Sequence, residues 1–150
     1  PAQTTTNGRV GRVGRMTRYV ADAVALNRRL AGREPAAVER IFDRAEDGVD
    51  RILATPIQLA EVVDTFGRDD EIAGETPTTS GREAARTLTS GPVEVCEPGR
   101  DGVLRLDRLF ELYSMHDAVL VAAHHTHETA GILTNDHEIE QYDGDAVVWS

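Results

Sequence analysis

Along this chain short apolar runs alternate with stretches in which apolar residues return every third or fourth position, the rhythm of strands followed by amphipathic helices. Residues 115–136 carry the pattern most clearly. Residues 118–123 are unbroken small and apolar sequence, which with its flanks predicts a helix buried on nearly every side. Gly131 then breaks it before a short Ile-Leu-Thr strand. Asp117 opens that helix and Asp136 closes that strand. The two acids meet only if a sheet brings both ends of this unit to one edge.

The rest of the chain repeats the rhythm. Residues 17–22 predict a strand ending in Asp22, followed by a helix over 23–30. After a turn at 32–35, Pro35 suits the first position of a helix in which Val38, Ile41, Phe42 and Ala45 recur until Gly48. Residues 51–54 predict a second strand. Thr55 and Pro56 then form an N-cap and first-turn pair, opening a helix through Ile57, Leu59, Ala60, Val62, Val63 and Phe66 that Gly67 stops. Gln58, Glu61 and Thr65 make a narrow polar stripe on one face of that helix. A solvated face explains the stripe as well as a functional one does. Residues 68–81 read as a loop, 82–88 as a short helix and 92–96 as a third strand. Val103, Leu106, Leu109, Phe110 and Tyr113 mark an amphipathic helix over 103–113, and residues 145–149 form a last strand after a turn at Gly144. Strands alternating with helices predict an α/β fold with a mainly parallel sheet and right-handed crossovers, without internal repeats.

Composition narrows the picture. A chain of 150 residues, 40% apolar and 28% charged, reads as one globular domain. No window approaches the ~18 consecutive apolar residues of a membrane span, and no signal-peptide core stands at the N-terminus, which places the protein in the cytoplasm. Residues 1–15, Thr-rich and then Gly-Arg-rich with Arg9, Arg12, Arg15 and Arg18 three apart, hold too little apolar content to pack. They read as a flexible tail ahead of a domain over 16–150, an unstructured leader upstream of a start at Met16; the competing reading is a basic arm for RNA or a partner. The 26 acids face 16 bases, all of them arginine, for a net charge of −10. That balance resembles proteins of salt-loving archaea, with codon bias as the plainer alternative. It also excludes a broad basic surface for nucleic acid, so any RNA contact is local or bridged by cations.

In an open parallel sheet, ligands gather outside the carboxyl ends of the strands. Asp22 and Asp136 each stand at such an end, Asp117 stands at a helix start, and Glu61 lies in the second turn of a helix that follows a strand. Four carboxylates from four segments are therefore expected in one cleft. They would repel unless divalent cations neutralised them, and hard oxygen ligands select Mg2+ or Mn2+. Such ions polarise a phosphate oxygen and activate water, the chemistry of phosphodiester hydrolysis. Acids at strand ends also cap helices, so placement alone leaves both readings open.

At these residues the chain resembles the PIN domain, the nuclease fold of VapC-like toxins in prokaryotic toxin–antitoxin pairs. The resembling pieces are Tyr-Val-Ala-Asp ending at Asp22, Pro-Ile-Gln-Leu-Ala-Glu ending at Glu61, Met-His-Asp-Ala around Asp117, and Leu-Thr-Asn-Asp ending at Asp136; together they span about residues 18–149. The resemblance implies a three-layer α/β/α fold with a mainly parallel central sheet of about five strands. It further implies a Mg2+- or Mn2+-dependent ribonuclease using Asp22, Glu61, Asp117 and Asp136, directly or through water, with Thr134 helping to order the last acid. RNA as substrate, a cognate antitoxin and a homodimer are implied with it. One departure stands out: the family often follows its first acid with a hydroxyl or amide residue that supports the metal site, whereas here Ala23 and Val24 follow Asp22. That departure motivates an alternative, a PIN-like module of weak activity that works by binding RNA or protein.

Other residues invite blander readings. His124, His125 and His127 suit an exposed helix end, where histidine meets the negative pole, and His116 suits a surface position at a helix start. His137 beside Asp136 is left open. Arg28 and Arg29 fit either phosphate contact or a solvated face. Cys96, the single cysteine, reads as a small core hydrophobe.

Overall fold

The computed structural model describes residues 16–68, 71–142 and 146–148. The tail expected over 1–15 and the ends of the last expected strand, Asp145 and Trp149, lie outside the described residues. Among the described residues the elements run β1 (Thr17–Ala21), α1 (Ala23–Ala31), α2 (Ala36–Glu46), β2 (Asp50–Ala54), α3 (Pro56–Arg68), α4 (Gly81–Thr89), β3 (Val93–Val95), α5 (Gly99–Leu109), α6 (Met115–His127), β4 (Gly131–Thr134), α7 (His137–Tyr142) and β5 (Ala146–Val148). No described helix is long and apolar enough to cross a membrane.

The strands form one parallel sheet in the order β3-β2-β1-β4-β5. Its middle strands close in apolar runs, Val20 and Ala21, Ile52 to Ala54, and Ile132 and Leu133, because helices cover both faces there. Side-chain alternation sorts them: Ala21, Ile52, Ala54 and Leu133 point into one core with residues of α1 to α4, among them Leu26, Phe42, Val62 and Leu88. Val20, Leu53 and Ile132 point into the other, with Leu120 and Val121 of α6 and Ile139 of α7. This is a three-layer α/β/α arrangement. The chain leaves β1 toward β2 and β3 on one side and returns to β4 on the other, so the crevice at the carboxyl ends of β1 and β4 is the topological switch point.

Three element boundaries differ from expectation. The helix expected over 103–113 begins at Gly99 and ends at Leu109. Its early start lacks apolar rhythm because Gly102 lies where α5 meets α6: a Cβ there would stand 2.7 Å from Thr126 Oγ1 and 2.6 Å from Pro98 Cβ. Helix α7 was not expected, since its six residues are too few for an apolar rhythm to be read. Gly67, expected as a stop, lies inside the last turn of α3.

Helix α4 packs against α3 through Gly81, where an added Cβ would lie 2.4 Å from the Val63 carbonyl oxygen. Backbone cannot yield as a flexible side chain does. Gly81→Ala should therefore lower stability by ~1–3 kcal/mol, read as a lower urea midpoint at unchanged slope; an unchanged midpoint would show that α4 does not sit this close to α3.

Candidate active site

Asp22 follows β1 directly and serves as N-cap of α1, its Oδ1 accepting from the Ala25 N–H at 2.8 Å. Its own N–H donates to the Leu133 carbonyl at 3.0 Å, extending the β1 and β4 pairing by one step. The other carboxylate oxygen, Oδ2, accepts a 2.6 Å bond from the Thr134 hydroxyl. That hydroxyl, fully buried, in turn accepts from the Asp136 N–H at 3.0 Å. Thr134 thus stands between two acids. Asp136 caps α7, accepting from the Glu138 N–H at 2.8 Å.

Asp117 lies in the first turn of α6. Its carboxyl is within hydrogen-bonding reach of Asp136, and it also feels the charge of Asp22. Glu61, on α3, adds to the field at Asp22 and bonds His116 Nδ1 at 2.7 Å. The structure therefore brings Asp22, Glu61, Asp117 and Asp136 into one electrostatic neighbourhood at the switch point, although they come from four segments.

Burial first, opposed by the bonds from Thr134 and Ala25 and reinforced by Glu61 and Asp136, pushes Asp22 up to about 6. Asp117 is likewise pushed up to about 6, by burial and then by Asp136. No arginine pairs with any of the four among the described residues. The contrast is Asp50 at the amino end of β2, 3% exposed, which receives Arg44 Nε at 2.8 Å and a second guanidinium nitrogen at 3.4 Å. The fold neutralises its buried acid at one end of the sheet and leaves those at the other end without a cationic arginine.

Among the described residues no three His, Cys, Asp or Glu side chains form a ready-made metal cage. Asp117 turns to Asp136, which brings two of the acids together, while Glu61 is engaged by His116. The donor set is all hard oxygen, which suits Mg2+ or Mn2+.

Several side chains differ from expectation. His124 is buried rather than exposed, its Nδ1 2.6 Å from Thr129 Oγ1, because Glu128 ends α6 in a left-handed turn that brings the chain back beneath the helix. His127 is half-buried, with Nε2 2.6 Å from the Glu97 carbonyl, while His125 is exposed. His116 is exposed as expected, yet engaged with Glu61. Arg29 is committed to Asp43 at 3.1 Å and Glu46 at 3.0 Å and lies over the Phe42 ring, which removes it as a phosphate contact. Cys96 is buried and its thiol is pushed up to about 11 by burial. Gln58 had shown only as part of a polar stripe. It is 2% exposed, with its Oε1 accepting from the Ala23 N–H at 3.2 Å and its Nε2 donating to the His116 carbonyl at 3.0 Å.

Because the folded state holds Asp22 above its ordinary 3.8, it favours the protonated carboxyl. The associated stability is complete below about pH 4 and is lost as pH rises through about 6. In metal-free protein, Asp22→Asn should match the parent near pH 4 and exceed it by ~1–3 kcal/mol at pH 8. Denaturant melts at both pH values check this, and a margin independent of pH would contradict it.

No family model matches the sequence, and no curated protein matches it. Among solved structures the fold has clear likenesses, one of them the crystal structure of VapBC2 from Rickettsia felis bound to a DNA fragment from their promoter. The identity is 11% and the TM-score 0.64, with 89% of this chain and 98% of that chain covered. At that identity the likeness speaks for fold alone, and the fold is the PIN-like α/β arrangement.

Proposed function

We propose that this protein is a Mg2+- or Mn2+-dependent endoribonuclease, the toxin of a toxin–antitoxin pair. The observation that carries the reading is the gathering of Asp22, Glu61, Asp117 and Asp136 at the sheet's switch point without an arginine, in a fold that does pair buried Asp50 with Arg44. Asp22, Asp117 and Asp136 would hold the cation, with Glu61 joining them once released from His116. The ion would supply charge neutralisation and a polarised phosphate for hydrolysis. The chain's own part is to fix the acids: Thr134 orients Asp22 and the backbone of Asp136, and the N-terminus of α6 places Asp117. Water adds to phosphorus, the P–O bond to the leaving oxygen breaks, and that oxygen takes up a proton.

The acid excess and the all-arginine base set support work in a salt-rich cytoplasm, in an archaeal halophile, where RNA reaches an acidic cleft through screening and cations. A cognate antitoxin covering the cleft and a homodimer belong to the same reading; light scattering at high salt tests the dimer, and a monomeric mass counts against it. A second reading, binding of RNA or protein without turnover, draws on Ala23 and Val24 after Asp22 and on the acidic surface.

Cleavage of labelled structured and single-stranded RNA in molar salt, with Mn2+, Mg2+ or EDTA, separates the two. The nuclease reading expects metal-dependent cutting that Asp136→Asn reduces by ~100-fold or more. Folded wild-type protein that binds metal and RNA but cuts neither substrate would favour the binding module.

A further inference from the structure

We propose that Gln58 is a positioning residue for the carboxylate site, a role that rests on the metal-dependent reading above. Its amide ties together, from α3, the backbone at the two helix starts that carry Asp22 and Asp117.

The partners fix the amide's orientation. The Ala23 N–H can be served only by Oε1 and the His116 carbonyl only by the NH2 group, so both ends of the side chain are committed, at 3.2 and 3.0 Å. Ala23 is the first residue of α1, and its N–H is one of the donors a helix start leaves without an internal partner. Asp22 serves the Ala25 N–H, and Gln58 serves that of Ala23. His116 immediately precedes Asp117 in the first turn of α6. Gln58 itself lies one turn before Glu61 on α3. One buried amide therefore connects the residue after Asp22, the residue before Asp117 and the helix that carries Glu61.

Two features explain why this position holds an amide. A glutamate would place a further negative charge beside Asp22 and Glu61 and could donate nothing to the His116 carbonyl. An apolar side chain would strand a buried backbone N–H. Gln58 also answers the departure noted at Ala23. No hydroxyl or amide follows Asp22 along the chain, but the polar group reaches the same backbone from a different helix.

The test is Mn2+ titration of the full chain by calorimetry, beside far-UV circular dichroism, thermal melting and RNA cleavage, for wild type, Gln58→Leu and Gln58→Glu. Positioning expects Gln58→Leu to keep its secondary structure and weaken Mn2+ binding ~10-fold. It expects Gln58→Glu to bind Mn2+ more weakly than wild type despite its added negative charge. A purely structural role would lower the melting temperature of both variants and leave Mn2+ affinity within about twofold of wild type, which would overturn the inference. Tighter Mn2+ binding by Gln58→Glu would overturn it as well, by showing that charge outweighs placement. Absence of Mn2+ binding by folded wild type would instead remove the metal-dependent reading, and this role with it.

Discussion

The buried bond from the Thr134 hydroxyl to Asp22 is the contact on which the candidate site depends. At the carboxyl ends of β1 and β4 the chain directions part, and a parallel sheet has no hairpin there to hold the two ends together. Thr134 closes that gap by accepting from Asp136 and donating to Asp22, so one hydroxyl sets the spacing of two like charges. With a valine of the same shape, the Asp22 N–H bond to Leu133 would end the β1–β4 ladder and no side-chain bond would carry the link on to Asp136. The core on either face of the sheet supplies the rigidity, and this polar bond supplies the register of the acids.

The arrangement costs stability. Burial holds Asp22 and Asp117 toward their protonated forms, and their neighbours are acids, not bases. Elsewhere the same chain shows the ordinary solution, with Arg44 on Asp50 and Arg29 among Glu34, Asp43 and Glu46. Leaving the acids of the switch point without such a partner contrasts with how Asp50 and Glu34 are held, and contrasts of this kind collect at functional sites.

Much of this was legible in the sequence. The strands ending at Asp22 and Thr134 are short apolar runs closed by polar residues, and the helix after Asp117 is apolar on almost every side because it is buried beneath α5 and against the sheet. Acids at strand ends could be placed at one edge from topology alone. What could not be read depends on partners distant in sequence. Gln58 looks like part of a solvated stripe until the starts of α1 and α6 come to rest on it, 35 and 58 residues away. His124 looks like an exposed helix end until Glu128 turns the chain beneath it. Helix α7 is too short to show a rhythm, and the capping role of Asp136 is hidden behind its place in the acid cluster.

The central claim is that the four carboxylates form a divalent-cation site. Crystals grown with Mn2+ and measured for anomalous scattering test it most directly. The account expects a manganese peak bounded by Asp22, Asp117 and Asp136, with the Asp117 and Asp136 carboxyls drawn apart onto the ion. Density for manganese only elsewhere on the surface, with the Asp117 and Asp136 carboxyls still within hydrogen-bonding reach of each other, would contradict it.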